Sequence, residues 1–98
     1  MVKHVILWQL KAGLTDVETV KAGMKAGLEG LKGVIPGLVD IQVQIGGLAS
    51  SNADVMLDST FVDEVALKQY ATHPAHVEVA VRDVKPYTEV RLCLDFNV

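Results

Sequence analysis

The hydrophobic and polar positions along the chain follow two periods, one typical of strands and one typical of helices. Residues 2–10 are rich in β-formers and apolar on both parities, which predicts a first strand covered on both sides. Apolar residues then recur three and four positions apart, which predicts a helix with one apolar face. Thr15 and Glu18 have capping-box spacing, so this helix is predicted to start at Thr15. The residues of its apolar face are Val17, Val20, Met24, Leu28 and Leu31.

Three glycines, Gly23, Gly27 and Gly30, flank the apolar stripe of this predicted helix. Each costs roughly 1 kcal/mol relative to alanine in a helix interior. The favoured interpretation is a merely weak helix. The alternative is a close approach to a sheet, or room for a ligand beside the helix.

The middle of the chain predicts two further strands. Residues 33–37, with Pro36, end the first helix and turn the chain. Residues 38–45 alternate strictly and predict a second strand. A loop of small and polar residues, 46–52, precedes a third predicted strand over 55–61. The strict alternation places Val39, Ile41, Val43 and Ile45 on one face of the second strand.

The last third of the chain predicts a broken helical element and a final strand. Asp63 can cap a helix that runs to about Ala71, and Thr72-His73-Pro74 interrupts it. Pro74 suits the first position of a third helix, with His73 as its N-cap, and that helix runs to about Val84. Lys85-Pro86 then ends it. Residues 88–96 predict the last strand, with Val90, Leu92, Leu94 and Phe96 on one face.

This element order, β-α-β-β-α-β, is that of an α+β, ferredoxin-like domain with one four-stranded antiparallel sheet. The 98 residues are enough for a single domain, residues 1–98. Helices on one face of the sheet leave the other face uncovered, although it carries apolar side chains. A second copy of the chain is the simplest cover, so the sequence predicts a homodimer.

Composition and charge narrow the range of partners. Half of the residues are hydrophobic, more than one small core needs, which favours a dimer, an apolar pocket, or both. A net charge of −3 and 5% aromatic residues argue against nucleic-acid binding. Cys93 is the only cysteine, so no internal disulfide forms, as in a reducing compartment. The apolar run Val5–Trp8 is too short for a signal peptide or membrane span, and we expect a cytoplasmic protein.

One cluster of residues can carry chemistry. Residues 70–77 place the Tyr70 phenol and the imidazoles of His73 and His76 across the helix break. Phosphate-loop, dinucleotide-binding and HExxH patterns are missing, and no cofactor is predicted. The N–H groups of Ala75 and His76, at the start of the third helix, suit a developing anion.

Each residue of this cluster has a structural alternative. His73 is predicted to cap the third helix rather than to catalyse. In the first helical turn, the helix dipole disfavours the imidazolium form of His76, as a general base requires; a half-exposed surface histidine is the alternative. Tyr70 could be a core aromatic residue, and His4 a core or edge histidine. The histidines lack a suitably spaced acidic ligand, so no metal site is predicted.

Several motifs are spread over essentially the whole chain. They are His4, Trp8-Gln9-Leu10-Lys11, Ile35-Pro36-Gly37, Phe61, Tyr70, His73-Pro74-Ala75-His76-Val77 and Leu94-Asp95-Phe96. In these motifs the chain resembles the stress-responsive A/B barrel (Dabb) family. The resemblance implies a ferredoxin-like protomer and a dimer built around a shared β-barrel.

The resemblance also implies candidate functions. Most members of the family have no known activity, but some plant members that resemble this chain at His4, Tyr70 and His76 are cofactor-free polyketide cyclases. In such a site His76 is the general base and Tyr70 binds or protonates the substrate carbonyl, and a linear poly-β-ketone closes by an aldol step. The first helix departs from the cyclase pattern, because around Met24 it lacks the large aromatic residues of the cyclase pocket.

Three functional hypotheses follow. The first is an enzyme or binder of a small, carbonyl-containing molecule that uses His76, Tyr70 and His4. The second is a non-enzymatic stress-response dimer, in which the histidines only shape the helix break. A weaker alternative is a cofactor-free oxygenase, which rests on fold analogy alone. Cys93, far from the histidines in sequence, is not expected to be a nucleophile.

Overall fold

The protein forms one four-stranded sheet with helices on one face. The computed structural model describes residues 1–98 and has the predicted β-α-β-β-α-β order, with the second helical element broken before Pro74. A π-helical segment continues the third helix. The elements are β1 (Val2–Leu10), α1 (Val17–Glu29), β2 (Leu38–Gln44), β3 (Val55–Phe61), α2 (Glu64–Thr72), α3 (Pro74–Val79), the π-helical segment (Ala80–Val84) and β4 (Thr88–Asn97).

The sheet is antiparallel throughout, with strand order β2-β3-β1-β4. The first strand therefore lies in the interior, and the last strand forms an edge. His4 on β1 is opposite Ser59 on β3 and Asp95 on β4. Directly opposed residues in a sheet point to the same face, so these three side chains lie under the helices.

The core lies between this face of the sheet and the helices. Val2, His4, Ile6 and Trp8 are buried on β1, as the period of two requires. Met24 and Leu28 bury the apolar stripe of α1 against the sheet, and Phe61 at the end of β3 is fully buried. Burying a side chain of this size stabilises the fold by about 1.5–3 kcal/mol.

The prediction that α1 begins at Thr15 with a capping box is wrong. Asp16 is the N-cap, and its carboxylate accepts hydrogen bonds from the Thr19 N–H at 3.1 Å and the Thr19 hydroxyl at 2.7 Å. These bonds lower the pKa of Asp16. A carboxylate is a stronger acceptor than the Thr15 hydroxyl and carries the negative charge that a helix N-terminus favours. The helix starts at Val17 as a result.

The strict alternation predicted for β2 is also wrong. Leu38 pairs with Phe61 and Asp40 with Thr60, so Val39 has no opposite residue and forms a bulge. The bulge shifts the parity by one residue, and Leu38 and Ile41 are both buried while Val39 is 40% exposed. The strand ends at Gln44, one residue before the predicted end.

A close approach explains one of the α1 glycines. A Cβ at Gly27 would collide with the Asp83 carboxylate and would lie 3.0 Å from Val79 Cγ1. The glycine therefore lets α1 lie against α3 and the π-helical segment. The approach is to a helix and not to the sheet, contrary to the alternative considered from the sequence.

The second face of the sheet is uncovered in the protomer. Leu7 is 37% exposed, Leu92 62% and Leu94 65%, and Phe96 is also exposed. The prediction that β1 is covered on both sides is therefore not met within one chain. None of the helices combines the length and the apolar character that a membrane crossing requires.

Gly37 generates a stability prediction. It has φ +81, and an added Cβ would lie 2.5 Å from Ala66 Cβ on α2. We expect Gly37→Ala to lower the free energy of unfolding by about 1–3 kcal/mol through backbone strain and overpacking. Gly23→Ala is the control, because an added Cβ has open space there. It should stabilise α1 by up to about 1 kcal/mol. Urea denaturation measures both, and equal effects would contradict the packing assigned to Gly37.

The uncovered face generates a prediction about assembly. We expect a homodimer at micromolar concentration and dissociation or unfolding of the Leu94→Asp variant, because burying an unpaired charge costs several kcal/mol. Val81→Asp is the control, since Val81 is 56% exposed on the π-helical segment. Sedimentation equilibrium decides the matter. A wild-type chain that sediments with the mass of one protomer would remove the argument for a shared barrel.

Candidate functional site

A cavity of about 780 Å³ lies between the sheet and the helices of the second half of the chain. Three of the sequence-predicted residues, His4, Tyr70 and His76, line it together. Twelve of its twenty-one lining residues are hydrophobic, so the cavity suits a mainly apolar molecule with a few polar groups. The site is open and is not a space filled by side chains.

Tyr70 is fixed by α2 and by aromatic contacts. Its ring centroid lies 5.0 Å from that of Phe61, and only 2% of the residue is exposed. No buried side-chain oxygen or nitrogen lacks a hydrogen-bond partner, and the Tyr70 hydroxyl has no partner in the chain. The hydroxyl is therefore open to the cavity. Burial raises the pKa of Tyr70 to about 12, so the phenol is a neutral hydrogen-bond donor at pH 7.

His76 lies directly over Tyr70. The two ring centroids are 4.1 Å apart with a 38° tilt. His76 Nδ1 is 3.2 Å from the Ala71 carbonyl oxygen. A carbonyl can only accept, so Nδ1 carries the proton and Nε2 keeps a free lone pair.

The electrostatics of His76 suit a base. Burial is the main cause that lowers its pKa, and His4, Lys85 and Arg91 lower it further, against the Ala71 hydrogen bond. The imidazole is therefore neutral at pH 7. The residue is half-buried, with its ring against that of Tyr70.

His4 is held by the last strand. Its Nδ1–H donates to Asp95 Oδ1, the residue opposite it in the sheet register. The ring stands edge-on to Tyr70, with centroids 6.0 Å apart. His4 is thus a buried histidine with its Nδ1 satisfied by a carboxylate and its ring beside the aromatic cluster around Tyr70.

Cys93 lies beside this pair, although it is remote from His4 in sequence. Its Sγ is 3.7 Å from His4 Nδ1 and 3.5 Å from Asp95 Oδ1. Burial, followed by the hydrogen bond and charge of Asp95, raises the pKa of the thiol. A nucleophilic cysteine needs the opposite shift, so the environment disfavours the thiolate.

His4, Cys93 and Asp95 are also the residues that could hold a metal ion. One ligand atom from each lies within 4.8 Å of the other two. No metal site was expected because no acidic ligand has suitable spacing to the histidines in the sequence, whereas in the fold Asp95 supplies a carboxylate to His4. Zinc accepts these three donor types.

His73 does not join the cavity. Its Nδ1 accepts the Ala75 N–H at 3.1 Å, and it is both the C-cap of α2 and the N-cap of α3. The structural interpretation of His73 is confirmed. The expectation that Ala75 offers a free N–H to an anion is wrong, because His73 occupies that donor.

Sequence analysis missed the contribution of β4 to the site. Asp95, Cys93 and Arg91 all line the cavity, from the parity opposite the apolar residues of the strand. No local signal could have found them, because it is the register with β1 that places Arg91 opposite the buried Trp8 and Asp95 opposite the buried His4. The indole of Trp8 also lines the cavity.

Comparison with known proteins agrees with this architecture. The family model described as "Stress responsive A/B Barrel Domain" matches residues 2–98. The chain belongs to this family. A search of curated proteins found no match to this A/B barrel chain.

Solved structures share the fold of the A/B barrel chain. A dimeric protein of unknown function with a ferredoxin-like fold from Bacteroides fragilis is 27% identical, with TM-score 0.91 over 99% of this chain and 95% of its own. Arabidopsis thaliana At3g17210 is 24% identical, with TM-score 0.82 over 100% and 95%. A hydroxynitrile lyase from Passiflora edulis is 16% identical, with TM-score 0.78 over 97% and 90%. The last two likenesses concern the fold alone.

The environment of Cys93 generates a prediction. Cys93→Ser keeps a hydrogen-bond donor to Asp95 and should leave any proton-transfer activity of the cavity within about twofold, because the raised thiol pKa disfavours nucleophilic chemistry. Asp95→Asn is the contrasting variant, because it weakens the hydrogen bond that His4 Nδ1–H donates. Comparing the two variants separates the effect of disturbing His4 from the effect of removing the sulfur. Loss of activity in a folded Cys93→Ser protein would show that the sulfur takes part in the chemistry.

Proposed function

We propose that this A/B barrel protein binds a small carbonyl compound in its cavity and converts it by removing a proton next to the carbonyl, without a cofactor. His76 is the general base, and Tyr70 donates a hydrogen bond to the enolate oxygen. His4 orients the substrate from the other side of Tyr70. The reaction class is the one that the plant cyclase-type members carry out.

The contact between Tyr70 and His76 carries this proposal. A general base has to be neutral, to have a free lone pair and to face the substrate space. The Ala71 carbonyl leaves Nε2 of His76 unprotonated, and burial lowers the pKa of the ring. A phenol with an unpaired hydroxyl lies against the same ring. An acid and a base with different environments in one cavity form an acid–base site.

These two groups account for the proton that is moved and for the negative charge that develops in the reaction. His76 Nε2 takes a proton from a methylene between two carbonyls, and the C–H electron pair becomes the enolate π bond. Negative charge collects on the carbonyl oxygen, where the neutral Tyr70 hydroxyl can donate. The enolate carbon then attacks a third carbonyl farther along the same molecule, and the imidazolium returns its proton to the new alkoxide. The pKa of Tyr70, about 12, suits it as a donor and not as a base.

Asp95 has a positioning role in this proposal. Its carboxylate accepts the Nδ1–H of His4, which keeps the ring in one orientation beside Tyr70. The pair therefore presents a fixed polar edge to a substrate instead of a rotating imidazole.

The size of the cavity bears on the non-enzymatic alternative. A stress-response dimer whose histidines only shape the helix break does not require an open space beside His76. The observed 780 Å³ lies in the range of small-molecule sites, about 300–1,000 Å³. On α1, Leu28 borders the cavity without the aromatic residues of the cyclase pocket, so the aromatic lining comes from Trp8, Tyr70 and Phe96 on other elements. No observation favours the oxygenase alternative.

We also propose that the active species is a homodimer. The 27% identical Bacteroides fragilis protein is described as dimeric, and it shares the fold over nearly its whole length. The exposed apolar residues of β1 and β4 supply a matching surface. The cavity is lined from β4 mainly by Arg91, Cys93 and Asp95, whereas the exposed apolar surface of the strand includes Leu92 and Leu94, so a dimer can form through that surface without using the polar residues of the site.

His76 and Tyr70 generate the central functional prediction. His76→Ala should slow solvent-deuterium exchange at the methylene of a linear methyl β-ketoalkanoate by about 100-fold or more, the usual scale for a general base. Tyr70→Phe should cost less if the hydroxyl only orients the substrate and more if it stabilises the enolate. The wild-type rate should be full at neutral pH and fall as the pH drops through the lowered His76 pKa, below 6.5.

His73→Ala is the matched control for these variants. It removes the N-cap of α3 and should lower the free energy of unfolding by about 1 kcal/mol, while exchange catalysis by the folded protein is retained. NMR follows the exchange, and urea denaturation follows the stability. An exchange rate equal to that of buffer in the wild-type protein would refute the enzymatic proposal and leave the structural dimer.

A further inference from the structure

One end of the cavity carries two cations that the proposed proton transfer does not use. Lys85 follows the π-helical segment, and Arg91 lies on β4 opposite the buried Trp8. Both line the cavity, together with Thr88 between them in sequence. Their charges therefore face the space in which the substrate would lie.

Neither cation is neutralised by the protein. Arg91 and Lys85 have no carboxylate within 4.0 Å, whereas Arg82 pairs with Glu78 and Asp83. Arg82 thus shows what an arginine of this chain does when an acidic partner is in reach.

The carboxylates of the cavity wall are used elsewhere. Asp95 accepts the hydrogen bonds of His4 and Cys93. Glu64, at the start of α2, lies by a second, small hollow formed with Met1 and Asn97 at the far end of β4. The Arg91 end of the cavity is therefore left with net positive charge.

The positive charge acts on the reacting groups. Arg91 lowers the pKa of Tyr70 and, with Lys85, that of His76, although burial is the larger cause for both residues. The two cations thus lie within electrostatic range of the acid–base pair. A ligand held by them would lie close enough to reach that pair.

We propose that Arg91 and Lys85 bind a carboxylate of the substrate, so that the molecule converted in this cavity is an anionic, linear poly-β-keto acid and not a neutral ketone or ester. This inference rests on the proposed function for the keto group, but the binding of the carboxylate does not require it. The guanidinium fork of Arg91 matches the two oxygens of a carboxylate, and the Lys85 ammonium adds a second, less directional contact.

The backbone at this end favours a carboxylate over a phosphate. Phosphate sites usually use the free N–H groups of a helix N-terminus. Here the chain presents a helix C-terminus, and the N–H of Lys85 is already bonded to the Ala80 carbonyl. Arg91, Lys85 and the Thr88 hydroxyl are the anion-binding side chains at this end. The negative end of a helix dipole disfavours a phosphate dianion more than a carboxylate, which has a single charge.

Binding of unreactive probes tests the inference separately from catalysis. Octanoate and methyl octanoate have the same chain and differ in charge, and neither has a methylene between two carbonyls. Titration calorimetry and the NMR shift of the His76 ring report occupancy of the cavity. We expect octanoate to bind the wild-type protein at least about tenfold more tightly than its methyl ester, as for hydrogen bonds to a charged group.

Variants then show which residues cause the preference for the acid over the ester. Arg91→Gln should bring the acid-to-ester affinity ratio close to one without changing the affinity for the ester, and Lys85→Gln should lower the ratio less. Arg82→Gln is the matched control and should leave the ratio unchanged, because Arg82 is paired on the surface. An unchanged ratio in a folded Arg91→Gln protein, or tighter binding of octyl phosphate than of octanoate, would overturn the inference.

The two proposals fail in different ways. Arg91-dependent octanoate binding without catalysed deuterium exchange would uphold the carboxylate site and refute the proton-transfer function. Catalysed exchange in a protein that binds acid and ester equally would uphold the function and refute the carboxylate site.

Discussion

The restart of the helix at Pro74 is the constraint on which the site depends. In one continuous helix, Tyr70 and His76 would be six residues apart and rotated by about 240°, on different faces. Pro74 has no N–H to donate and cannot continue α2, so the chain turns at His73 and begins α3. The turn brings His76 back onto Tyr70, with ring centroids 4.1 Å apart. His73 makes the turn stable by capping α3.

The strand register supplies the other half of the site. Because β4 pairs with β1, the last strand brings Asp95 to His4 and Cys93 to Ile6, across nearly the whole sequence. Arg91, Cys93 and Asp95, on one parity of β4, thereby line the cavity, while Leu92 and Leu94, on the other parity, are exposed on the uncovered face. The same edge strand thus serves the site on one face and the proposed dimer on the other. This division explains why the strand has both Arg91 and Leu92, neighbours with opposite roles.

Local signals in the sequence were enough to predict the helices and strands, but not which strands pair with each other or in which register. The element order, the break before Pro74 and the cap at His73 follow from period, proline and N-cap chemistry, all of which act over a few residues. The bulge at Val39 was missed because it depends on how β2 pairs with β3. Thr15 was chosen over Asp16 because two capping residues are adjacent, and the geometry of the turn decides between them.

The candidate site, like the fold, was predictable where its residues are close in sequence and not where distant strands bring them together. Tyr70 and His76 are close in sequence, and a helix break between them was visible. The contact of His4 with Asp95 and Cys93 joins residues 91 and 89 positions apart, which no local pattern reports. The resemblance to the A/B barrel family pointed to His4 but gave no role to Arg91 or Cys93. Long-range strand pairing is what turns these separate residues into one cavity.

The most direct test of this account is the protonation of the His76 ring, followed by nitrogen-15 NMR as a function of pH. The account predicts a ring protonated on Nδ1 and unprotonated on Nε2 at neutral pH, with a pKa below the ordinary 6.5. His73→Ala should leave the tautomer unchanged in the folded protein. A His76 that exchanges between tautomers and titrates at the ordinary value would contradict the account, because the helix break would then not hold a base over Tyr70.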